Sequence, residues 1–240
     1  NIATLHLNFN RHLWLSLQEK KDLEQIILAV LQENKIQTKN IFIGGFSSGG
    51  NVSLLLGDYL KSVNSEIQVK GIFIVDSPID LQGLYHTAKK NIEKGFSEVA
   101  VEEAKWIVAK FENEFGIGDT SLDRYLQKSP YISTMNSLNN LSNLQNVQIR
   151  LYTEPDTIWW KKNRQINFED RNAYVIGQLS LDLKQFYAED AINYIKTKDK
   201  GYRANGERHP HSWSIVDRED LINWILTFKN EKNESHKQSH

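Results

Sequence analysis

Short apolar runs of strand length alternate with longer segments whose apolar residues recur at spacings of three and four, the pattern of a largely parallel sheet covered by helices. Residues 2–9 read as a strand. Residues 19–32 read as a helix with Leu23, Ile26, Ile27, Val30 and Leu31 on one face. Residues 40–46 form a short buried strand, and the helix that follows carries Val52, Leu55, Leu56, Tyr59, Leu60 and Val63. Within 69–76 the run Gly71, Ile72, Phe73, Ile74, Val75 is continuous, as a central parallel strand buried on both faces requires.

The rhythm then breaks for about seventy residues, far longer than an ordinary connection. Ser97 is placed to cap a helix reaching Phe115, with Ala104, Ile107, Val108, Phe111 and Phe115 on one face and Gly116 at its C-terminal end. The segment 77–146 is read as a mostly helical cap over one end of the sheet, with Trp106, Phe111 and Phe115 in its core. Strands resume at 147–153 and 191–196 with a helix at 168–183 between them. A last amphipathic helix at 217–228 turns Leu221, Trp224, Ile225 and Phe228 inward, with Asp217 as its N-cap. The organisation expected is a core in two parts, 1–76 and 147–229, interrupted by 77–146 and followed by a polar tail at 230–240.

Composition narrows the function classes. The net charge of −1 includes no basic block, so the electrostatic footprint of a nucleic-acid or anionic-membrane binder is missing. No apolar run approaches the ~18 residues of a spanning helix. The absence of cysteine excludes disulfides, thiolate metal sites and cysteine nucleophiles. It leaves the compartment open, cytoplasmic or exported, and the oligomeric state is equally open. No targeting signal is read, and the first residue is Asn1 rather than Met.

The candidate chemistry begins at Gly45-Phe46-Ser47-Ser48-Gly49, which fits G-x-S-x-G with β-branched residues before it and an amphipathic helix after it. This strand–turn–helix setting is what a nucleophile elbow needs, because small neighbours let the turn close and expose the Ser47 hydroxyl above the sheet. The N–H of Ser48 is then placed for a developing oxyanion. A phosphate-binding helix start is the plainer alternative, but the lysine of a P-loop and the G-x-G-x-x-G spacing are both missing.

An activated serine needs a base and an acid that orients the base, in the chain order Ser, Asp or Glu, His. Asp156, just past the strand at 147–153, is the preferred acid, with Glu154 and Asp76 as rivals. His211, between the last strand and the last helix, is the preferred base, with His209 as its rival. Read as metal ligands, the two histidines lack a third neighbour, so no metal is expected. Trp159, Trp160 and Trp213 lie in the two loops bearing the proposed acid and base and, with Phe46 beside the serine, are candidates to line an acyl or sugar pocket, against the alternative that they are packing.

With these residues in view, the chain resembles the α/β-hydrolase superfamily, in particular bacterial esterases and serine hydrolases with a G-[FM]-S-x-G-G elbow. Gly44 to Asn51 carries the most specific part of the match, and His211-Ser212-Trp213 is similar to the His-x-Trp loop of several esterases. The resemblance implies an eight-stranded sheet, acyl transfer through a serine ester, and no cofactor. It gives Ser47, Asp156 and His211 the roles of nucleophile, acid and base but names no substrate. The aromatic-rich loops and the helical cap point to an enclosed pocket and so to a small or carbohydrate ester, with a peptidase or a non-catalytic binding protein of the same fold as alternatives. Family members place three strands and an oxyanion loop before the strand that leads to the elbow, whereas only 40 residues precede Ile41 here. The expectation is therefore an N-terminally incomplete hydrolase with an open slot beside the elbow strand, unless residues 2–9 pair with that strand directly and the loop after Asn10 supplies the second oxyanion N–H.

Overall fold

In the computed structural model, which describes residues 2–9, 12–116 and 122–234, four strands form one parallel sheet in the order β1-β2-β3-β4. These are β1 (Ile41–Phe46), β2 (Val69–Val75), β3 (Gln148–Thr153) and β4 (Ile192–Lys196). Strand order follows chain order, so every crossover runs in the same direction and all four C-terminal ends open on one edge.

Register decides what each face buries. Ile72 pairs with Ile149 and Ile74 with Leu151, and all four are completely buried. On this face lie α2 (Ser48–Ser62), whose Gly57 lets the Ile72 side chain approach, and α7 (Asn172–Phe186), whose Gly177 lies against Tyr194. The alternate residues Phe42, Phe73, Val75 and Tyr152 point the other way. There α8 (Arg218–Glu234) packs Trp224 on Phe42 with ring centroids 5.1 Å apart, and the Arg150 guanidinium lies over the indole at 4.9 Å. Asp217 caps α8 as expected, accepting from the N–H groups of Glu219 and Asp220.

The first helix, α1 (Leu17–Glu33), starts at a capping box: Glu19 N–H donates to Ser16 Oγ at 3.2 Å and Ser16 N–H donates to Glu19 Oε2 at 2.7 Å. Residues 2–9, expected as a strand, form none and pair with no strand. Their apolar residues do alternate, but alternation makes a strand only where a ladder partner is in reach. Here Leu7 and Phe9 pack on the core instead, with the Phe9 ring beside Gly49. Among the described residues the sheet has four strands rather than five or eight, and β1 pairs only with β2. Asn10 and Arg11, where the second oxyanion donor was sought, lie outside the described residues.

The long connection from β2 to β3 carries α3 (Leu81–Lys94), α4 (Glu98–Phe115) and α5 (Leu122–Lys128). It is mostly helical, as the periodicity predicts, and its aromatic side chains join the main core. Phe111 and Phe115 are fully buried, meet edge to face at 5.4 Å, and both pack against Trp14. Trp106 departs from the expected core: it is 47% exposed, with Lys110 over its ring, because its position on α4 faces away from that cluster. Replacing Phe111 with Ala is expected to destabilise the fold by about 3–5 kcal/mol, since a whole ring leaves a site that its neighbours cannot refill. Urea unfolding, read by the shift in midpoint at constant slope, measures that loss.

Candidate active site

Ser47 follows β1 directly and occupies φ 54°, ψ −126°, a conformation that side-chain-bearing residues avoid. Two contacts hold it there: its N–H donates to Val75 O at 2.9 Å, and its carbonyl accepts from Gly50 N–H at 3.0 Å. The turn closes because its neighbours lack side chains. A Cβ on Gly45 would lie 2.2 Å from the carbonyl carbon of Gly49, and one on Gly50 would lie 1.9 Å from Ser77 Oγ. A serine at a helix N-cap normally spends its hydroxyl on the first turn, but Ser47 makes no such bond to α2. Ser48 opens α2, so its N–H belongs to the unsatisfied first turn, where negative charge is favoured.

At the end of the adjacent strand, Asp76 also takes a left-handed conformation, φ 45°. Its N–H continues the ladder to Tyr152 O at 2.9 Å, its carbonyl accepts from Asn172 Nδ2 at 2.7 Å, and its side chain is buried. The strand end is thereby fixed on both sides. One carboxylate oxygen of Asp76 accepts from His211 Nδ1–H at 2.6 Å. The imidazole packs on Phe46 with ring centroids 4.5 Å apart, which brings it beside the residue preceding Ser47. Among the described residues neither Ser47 Oγ nor His211 Nε2 has a hydrogen-bond partner. Such bonds in unliganded sites often tighten only when substrate is present.

Asp156, expected as the acid, is engaged elsewhere. It caps α6 (Thr157–Arg164) by accepting from Trp159 N–H at 2.9 Å, and its other oxygen pairs with Arg208 Nη2 at 2.6 Å. Glu154 is buried and likewise committed. Its Oε2 accepts from Thr197 Oγ1 and from the N–H groups of Lys200 and Gly201, and it forms an ion pair with Arg208. The two carboxylates thus anchor the loop that carries His211 through an arginine three residues before it. Asp76 is the carboxylate that His211 meets.

His209 does not compete for the same partner. Its Nδ1–H donates to the His211 carbonyl at 3.0 Å, and its ring is held edge-on by Trp159 and Trp160 at 5.1 and 5.5 Å. Burial pushes its pKa down from 6.5 to about 4, so it is neutral near physiological pH and holds the backbone of the neighbouring histidine. Between pH 6.5 and 4 the unfolded chain binds a proton that the folded one refuses. The stability associated with neutral His209 is full above the upper value and declines as pH falls through this window, by up to about 3 kcal/mol. Thermal melts across that range are expected to show a shallower decline for His209→Gln than for the wild type. Parallel curves would contradict this.

The four aromatic candidates divide. Phe46 lies between His211 and Trp213, whose ring is 5.7 Å away and 49% exposed, so the two form an open apolar wall beside Ser47. Trp159 packs on His209 and under Arg164. Trp160 is buried, with the Arg171 guanidinium stacked on it, and is a packing residue rather than part of that wall. No group of three or more His, Asp or Glu residues placed to hold a metal occurs among the described residues, and no described helix is long and apolar enough to cross a membrane.

Sequence reasoning weighed Asp76 only as a rival and missed Arg171 and Asn172. The position of Asp76 at the end of an apolar strand was the available signal. Set against protein-family models, curated proteins and solved structures, the chain matches none.

Proposed function

We propose that the chain is a serine hydrolase of the α/β-hydrolase kind, cleaving a carboxylic ester through an acyl-enzyme on Ser47. What supports this reading is that, at one edge of a parallel sheet, a strained serine whose hydroxyl caps nothing directly follows Phe46, and the Phe46 ring packs on a histidine bonded through Nδ1 to a buried aspartate. In the proposed reaction His211 Nε2 takes the Ser47 proton as Oγ attacks the ester carbonyl. The same proton then goes to the departing alcohol, and water attacks the acyl-enzyme with His211 again as base. Asp76 keeps the tautomer with Nδ1 protonated and stabilises the imidazolium. The Ser48 N–H faces the oxyanion, and Phe46 and Trp213 form the wall against which the acyl or alcohol group rests.

The helical 77–146 segment packs near the end of β2 and is proposed to close one side of this site, which favours small esters over extended peptide chains. A panel of p-nitrophenyl esters, acetylated sugars and dipeptide amides tests the order. Turnover of the esters is expected, and preference for the amides would make the chain a peptidase instead.

A further inference from the structure

Arg171, the residue before α7, is a cation that forms no ion pair among the described residues. Its guanidinium carbon lies 3.1 Å from the centre of the Trp160 ring, and its Nε is buried without a hydrogen-bond partner. The carboxylate that acts on it electrostatically, Asp76, already accepts from His211. Burial depresses the Arg171 pKa to about 10, which leaves it charged at any physiological pH. A buried charge with no partner is costly, and five N–H donors in a fixed fork match a carboxylate edge to edge.

Arg171 lines a cavity of about 150 Å³ between the start of α3, the start of α7 and the loop at Ser133, immediately past the strand end that bears Asp76. The other charges around it are largely taken. Lys90 pairs with Asp170 at 2.6 Å, and Asp80 accepts from Gly83 N–H and from both the N–H and hydroxyl of Ser133. Glu169 lines the cavity but is solvent-exposed. The space equals that of about five waters at ~30 Å³ each, enough for a short acid-terminated chain.

We propose that Arg171 recognises a carboxylate on the substrate, so that the preferred ester carries a carboxylate on a short chain. This rests on the reading of Ser47, His211 and Asp76 as the ester-cleaving group. A carboxylate fits better than a phosphate dianion. One guanidinium is available, Arg164 is engaged with Trp159 and the Asn163 carbonyl, and the carboxylate of Asp76 limits the positive field.

The test compares the mono-p-nitrophenyl ester of adipic acid with p-nitrophenyl hexanoate, which matches it in chain length but is neutral. The wild type is expected to favour the acid-bearing ester by about 10–100-fold in kcat/KM, the range of one charge-assisted fork. In Arg171→Met that ratio is expected to fall to about one, and Arg171→Lys, which keeps the charge without the fork, is expected to retain part of it. A wild-type ratio near or below one, or a ratio that survives in Arg171→Met, overturns the proposal. Binding of free adipate to the Ser47→Ala protein, followed by calorimetry, decides independently of turnover. Binding that disappears when Arg171→Met is added supports the subsite even if neither ester is cleaved, in which case the ester-cleaving reading alone fails. No binding, or equal binding of inorganic phosphate, overturns the carboxylate assignment.

Discussion

Asp76→Asn is expected to lower kcat for an activated ester by about 10⁴-fold, because an amide opposite Nδ1 favours the wrong imidazole tautomer and cannot stabilise the imidazolium. The backbone bonds that hold this strand end, to Tyr152 O and from Asn172, do not involve the carboxylate. The variant should therefore fold. Asp156→Asn is the matched control. Its carboxylate caps α6 and pairs with Arg208 but does not touch His211, so its loss is expected to cost about 1–2 kcal/mol of stability with kcat changed less than about tenfold. Steady-state kinetics and thermal melting of the two proteins side by side check both halves. A collapse of kcat in the Asp156 variant with normal turnover in the Asp76 variant would return the acid role to Asp156.

Ser47→Ala is expected to have the largest effect on chemistry, a fall in kcat of about 10⁴–10⁶-fold, since no other group could carry the acyl intermediate. Stability should change little or fall slightly. The Ser47 hydroxyl caps nothing, and alanine, like serine, must bear the left-handed φ of 54°. Residual turnover above a few per cent, after removal of contaminating activity, would mean that the ester is cleaved elsewhere.

The strands 41–46 and 69–75 and the serine turn were legible because their signals are local. β-branched runs set the strands, and glycines cluster where backbone atoms approach within a Cβ radius, as Gly45 and Gly49 do. Of the His211 partner the sequence shows only that several carboxylates follow strands. What selects Asp76 is its left-handed backbone, φ 45°, and the side-chain grip of Asn172 on its carbonyl from nearly one hundred residues away. Both are tertiary facts. Asp156 looks the better acid in the sequence, with Glu154 its near rival, until Arg208 is seen to bind both.

Residues 2–9 mislead for the converse reason. Their alternation is a sound strand signal, yet a strand is a pairing and the sequence does not name its partner. Helix α6 was not anticipated, because its Trp159-Trp160 pair reads as loop lining until Asp156 is recognised as an N-cap.

Treatment of the folded protein with a fluorophosphonate, followed by digestion and mass spectrometry, tests the central claim most directly. The reagent forms a stable adduct only with a serine activated by its neighbours. The account predicts one adduct, on the peptide containing Ser47, absent from Ser47→Ala and strongly slowed in His211→Ala. Labelling that persists in Ser47→Ala, or a folded wild type that takes up no reagent, would contradict it.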